Sequence, residues 1–169
     1  MSKVIFCARR DKSQRYSTFS LLIPLVLGVL GASSGCVGVI RHDEDLAATS
    51  AVQFARIAII DQDYASAFES LSDRGRAKSS AARLQETIMQ IHPRGRPKLI
   101  TAAEFEPLPR QRAMNIYLFG RADDEEFAYK FEMEGTADTG YKVASISRLR
   151  TPLPQFATRR PLPNRRSTD

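Results

Sequence analysis

The stretch Glu126–Arg150, EFAYKFEMEGTADTGYKVASISRLR, decides the fold. Phe127, Tyr129, Phe131 and Met133 fall at every second position, with Ala128, Lys130, Glu132 and Glu134 between them. That period of two predicts a strand with one buried and one wet face. Gly135, Asp138 and Gly140 then predict a turn, because glycine enters the left-handed region at little cost. A second extended run, Tyr141 to Leu149, ends before Pro152, so the two runs read as an antiparallel hairpin. Its apolar face needs a cover, and the segment from Leu46 to His92 is the natural candidate.

Upstream of the hairpin two further strands are predicted. Lys98–Phe105 is the first. Pro107-Leu108-Pro109 holds the connection extended. Ala113–Arg121 is the second. Met114, Ile116 and Leu118 alternate there with Asn115, Tyr117 and Phe119, so both faces are apolar enough for a central strand. Before these, three amphipathic helices are expected. Val52, Ala55 and Ile59 give the line of the first. Tyr64, Phe68 and Leu71 give the second, capped by Asp63 and ended by Ser72–Arg76 with Gly75. Leu84, Ile88 and Ile91 give the third, capped by Ser79 or Ser80 and stopped by Pro93 and Gly95. The expected class is α+β, three amino-terminal helices packed on a curved four-stranded antiparallel sheet.

The net charge of +6 is unevenly placed. Residues 1–18 carry five cations against one acid, and residues 151–169 carry four arginines against one acid, which leaves residues 19–150 at −1. A nucleic-acid-binding domain needs a basic face on its folded part, so no nucleic-acid partner is expected. Cys7 and Cys36 both precede the domain, which excludes an internal disulfide and a cysteine-ligated metal within it.

The basic residues 1–18 lead into Phe19–Ala32, an uncharged apolar run followed by Ser33-Ser34-Gly35-Cys36. This is the layout of a secretory signal. The end of it resembles the lipobox of bacterial lipoproteins, with Ser33 where that pattern has Leu, and the resemblance implies lipidation of Cys36. The alternative is an uncleaved anchor, since Phe19–Ile40 holds no charged residue and about 20 apolar residues span a bilayer. Both place the domain on the extracytoplasmic side, because the positive flank stays inside. The expected organisation is therefore signal or anchor at 1–36, tether at 37–44, domain at 45–150, and a disordered Pro/Arg-rich tail at 151–169, attracted to an anionic surface or simply solvated.

Helices followed by an antiparallel sheet, together with two short motifs, carry a family likeness. Asp63-Tyr64-Ala65-Ser66-Ala67-Phe68-Glu69-Ser70-Leu71-Ser72 and Gly140-Tyr141-Lys142-Val143 resemble the second helix and last strand of small exported domains in the NTF2-like, or cystatin-like cone, superfamily. The likeness covers about Asp45 to Arg150. It implies a cone-shaped sheet, homodimerisation as in many relatives, and, in the family's enzymes, His, Asp or Tyr at the mouth of the cone. Tyr64, Asn115 and Tyr117 are the residues placed to line such a cavity. His92 precedes Pro93 at a helix end, where a histidine meets the helix dipole favourably. No Ser-His-Asp order, phosphate loop or metal-ligand spacing occurs, and neither a catalytic group nor a cofactor is expected. The expected function is a membrane-tethered, non-catalytic binding module of the cell envelope, taking a protein partner or a small apolar ligand. An enzyme of ketosteroid-isomerase or dehydratase type and a purely structural envelope lipoprotein are the alternatives.

Overall fold

A computed structural model describes residues 40–93, 95–122, 125–150 and 158–168. The leader, Cys36 and residues 37–39 of the tether lie outside the described residues. Helix α1, Glu44–Ala55, starts where Asp43 Oδ1 accepts the Leu46 N–H at 2.8 Å, with Glu44 and Asp45 in its first turn. Ala47, Ala48, Ala51 and Ala55 are all fully buried, and side chains this small let the helix axis lie close to the sheet. A π turn, Arg56–Ile60, extends it and brings both Ala58 and Ile59 inward. Helix α2, Tyr64–Glu69, is capped by Asp63, and α4, Ala81–Ile91, by Ser80, as the spacing predicts.

The segment read as the end of the second helix is a helix of its own, α3, Asp73–Lys78, capped by Ser72. Leu71 and Ser72 leave the helical path to bridge the strand Gly140–Leu149, where the Ser72 N–H meets the Val143 carbonyl at 2.8 Å. Gly75 is there for closeness rather than for a turn. A Cβ on it would stand 2.9 Å from the Val143 carbonyl oxygen. The described residues thus hold four α-helices where three were expected.

The strands are β1, Leu99–Pro107; β2, Ala113–Ala122; β3, Glu125–Thr136; β4, Gly140–Leu149; and β5, Arg160–Ser167. They form one antiparallel sheet in the order β4-β3-β2-β1-β5. The sheet has five strands, not four, and the fifth comes from the tail expected to be disordered. It forms because its backbone pairs with the open edge of β1 and Leu162 fills the core at 6% exposure. Bulges at Ala103 in β1 and Ala144 in β4 interrupt the ladders, the device by which a sheet bends.

The inner face, toward the helices, carries Met114, Ile116 and Leu118 of β2 opposite Met133, Phe131 and Tyr129 of β3. Phe54 of α1 meets Phe131 edge-on, ring centroids 5.8 Å apart. The outer face carries Glu104 and Glu106 of β1, Asn115, Tyr117 and Phe119 of β2, and Lys130 and Glu132 of β3. β2 is central, as its two apolar faces require.

Candidate functional site

Two polar clusters stand out, one on each face. On the outer face the β1–β2 register sets Glu106 opposite Asn115 and Glu104 opposite Tyr117. The Tyr117 hydroxyl donates to Glu106 Oε2 at 2.8 Å and Asn115 Nδ2 donates to the same oxygen at 3.0 Å. The Thr158 hydroxyl donates to Oε1. The next residue, Arg159, bonds Glu104 Oε2 at 3.1 Å and lays its guanidinium over the Tyr117 ring, 4.8 Å from the centroid. Burial by itself would push the Glu106 carboxyl up, but the three hydrogen bonds outweigh it and hold its pKa below the usual value. Burial and the neighbouring carboxylate push the Tyr117 phenol up to about 12. Glu106 is therefore an ionised acceptor with its donors already supplied. That chemistry suits recognition of hydroxyl, amide and cationic groups better than proton abstraction.

On the inner face His92 closes the end of α4 and is buried at 6% exposure. Its Nδ1 lies 2.9 Å from the Ile88 carbonyl oxygen, which can only accept, so Nδ1 carries the proton. Neutral Nε2 then accepts from the Tyr129 hydroxyl at 2.7 Å. Burial lowers the His92 pKa, with Arg96 and Arg148 adding to it against the Ile88 hydrogen bond. Burial likewise raises that of Tyr129. Arg148 covers the pair's edge. It stacks on Phe127, 4.8 Å from the ring centroid, and bonds the Ile91 carbonyl at 2.7 Å and Glu125 at 2.6 Å. This is a sealed structural pair at the helix end where His92 was expected, with the ring N–H on the Ile88 carbonyl of the last turn.

Of the residues expected to line one cavity, Asn115 and Tyr117 come together on Glu106. Tyr64 does not join them. It lies on α2, half-buried against the inner core, because the helices cover one face of the sheet and Asn115 and Tyr117 occupy the other. Sequence reasoning missed Glu104, Glu106, Thr158 and Arg159. The Glu104-Phe105-Glu106 alternation was the available signal for the first two, since it puts both carboxylates on one face of a strand. Beside the cluster an open groove of about 670 Å³ runs past Leu99, Thr101, Phe119, Arg121 and Arg165. Among the described residues no group of three or more His, Cys, Asp or Glu is placed to hold a metal ion. Nor is any described helix long and apolar enough to cross a membrane.

No protein-family model, curated protein or solved structure matches this chain.

Proposed function

We propose that this chain is an exported, membrane-tethered module of the NTF2-like type that acts by binding a protein partner through the outer face and edge of its sheet. The observation that carries the reading is how near Cys36 in sequence the described fold is anchored. The Arg41 carbonyl accepts the Ala137 N–H at 3.1 Å, and His42 and Asp43 both bond the Tyr141 hydroxyl, at 3.2 and 3.0 Å. Arg41 is five residues from Cys36, which limits the tether to about 17 Å even when fully extended. A lipid on Cys36, or a membrane span ending near it, holds the domain at the surface, where a partner meets it without a search through bulk. The Glu106 cluster supports binding over catalysis, because its carboxylate is ionised and already satisfied by hydrogen bonds.

The test is fractionation and co-purification of the full chain beside Cys36→Ala. Wild type is expected in the membrane fraction with a domain accessible to protease added from outside the cytoplasmic membrane. Cys36→Ala is expected to lose lipid labelling while export persists. A wild-type chain that stays soluble and protected inside the cell would overturn the reading.

A further inference from the structure

We propose that the outer edge of β1 is a strand-accepting site for an extended cationic peptide, and that the chain's own Thr158–Thr168 is its resident occupant. The inference rests on the binding reading above and names the chemistry of the partner.

The seat is specified by contacts at three points. At one end Glu104 and Glu106 take the Arg159 guanidinium and the Thr158 hydroxyl, and the Tyr117 ring floors the arginine. In the middle Leu162 drops into the core, while Asn164 Nδ2 bonds Asp45 Oδ2 of α1 at 3.1 Å. At the far end Thr168 clasps Ile100. Its N–H donates to the Ile100 carbonyl at 3.0 Å, and its hydroxyl accepts the Ile100 N–H at 2.9 Å. These contacts read a side-chain pattern, hydroxyl–Arg, then Leu, then hydroxyl, on an added strand. That is the division of labour in β-augmentation, where main-chain bonds give affinity and pockets give selectivity.

The occupant is held in a way that permits exchange. Its ladder with β1 consists of Thr101↔Ser167 and Ala102↔Arg166, then Glu104↔Pro161 and Phe105↔Arg160. Residues 162–165 loop out opposite the single residue Ala103. Pro161 and Pro163 bring no N–H to the edge. A strand whose ladder is interrupted in this way belongs to the part of a fold that opens first. The partner's chemistry follows from the acidic rim. A peptide carrying Arg beside a hydroxyl residue and a leucine bracketed by prolines satisfies Glu104, Glu106 and the core socket as the tail does.

The test uses the full chain with a protease site inserted between Gln155 and Phe156, purified folded and then nicked, and a fluorescent peptide of the sequence Thr158–Thr168. We expect the nicked protein to exchange its tail for the labelled peptide at one site. The uncut chain should bind at least tenfold more weakly, because its own tail competes at high effective concentration. Glu104→Gln in the protein, or Arg159→Ala in the peptide, should each weaken exchange by about tenfold, the scale of a partly buried charge-assisted bond. A nicked protein that unfolds, or that keeps its fold without exchanging, overturns the proposal. So does equal binding by the uncut chain, or by a peptide carrying Leu162→Asp. A failure of membrane attachment in the Cys36 experiment leaves these outcomes untouched, so the two readings fall separately.

Discussion

Removing one oxygen atom tests the inner pair. Tyr129→Phe keeps the ring, which lies parallel to Phe127 at 6.3 Å and edge-on to Phe131 at 6.4 Å. It takes away only the donor to His92 Nε2, leaving a buried acceptor unmet. That costs about 1–3 kcal/mol. His92→Leu leaves the Tyr129 hydroxyl stranded instead, at a similar cost. In the double variant the hydroxyl and the imidazole are both gone, and only the Ile88 carbonyl, already bared by His92→Leu alone, stays unmet. We expect it to be less destabilised than the two singles added together, with a coupling of about 1 kcal/mol or more. The pH dependence gives a second reading of the same pair. The folded state holds His92 neutral, with its pKa lowered, so below about pH 6.5 the unfolded chain binds the extra proton. Stability from this group is complete above that pH and falls as the pH drops toward the folded value, by up to about 1.4 kcal/mol per unit. The chain has no tryptophan, so urea melts are followed by far-ultraviolet circular dichroism, at pH 7.5 and at pH 5.5. Additive single costs, together with an unchanged acid slope in His92→Leu, would refute the assignment of proton and partner.

Three further outcomes are expected. Phe131 is fully buried, so Phe131→Asp should abolish the cooperative transition; a melt at the wild-type temperature would contradict the core described above. Gly135 has φ +141° and a Cβ there would stand 1.8 Å from the Gly140 carbonyl oxygen, whereas Gly140, at φ +70°, faces open space. Gly140→Ala should cost about 1–2 kcal/mol and Gly135→Ala distinctly more, as denaturant melts of the two would reveal. Glu106→Gln should bring the Tyr117 phenol down from about 12, since a neutral amide no longer opposes the phenolate. A difference titration by ultraviolet absorbance that shows no tyrosine moving would count against the cluster.

Local pattern revealed much of this architecture, and the failures share one cause. β3 could be read directly because Phe127, Tyr129, Phe131 and Met133 face the core while Lys130, Glu132 and Glu134 face outward. Asp63 and Ser80 signalled their helices because capping is decided within three residues. Gly75 misled, since a glycine that admits a neighbouring backbone looks in sequence like one that ends a helix. The tail misled more seriously. Its prolines and arginines have the composition of an unstructured end, and what makes it a strand is distant: the open edge of β1 and the socket that Leu162 fills. The same holds for the sites. Asn115 and Tyr117 were visible as one face of β2, but Glu106 and Thr158 become their companions only through pairing. His92 finds Tyr129 across 37 positions, which no local signal encodes.

The clasp between Ile100 and Thr168 joins positions 68 apart and has a consequence for synthesis. Until β5 has emerged and folded back, β1 has one flank bare, its main-chain groups unanswered and the leucine socket vacant. Until its own β5 arrives, such a flank can recruit a neighbouring nascent chain instead. A message truncated before the codon for Thr158 would therefore release a product open to mispairing, however sound its remaining layers.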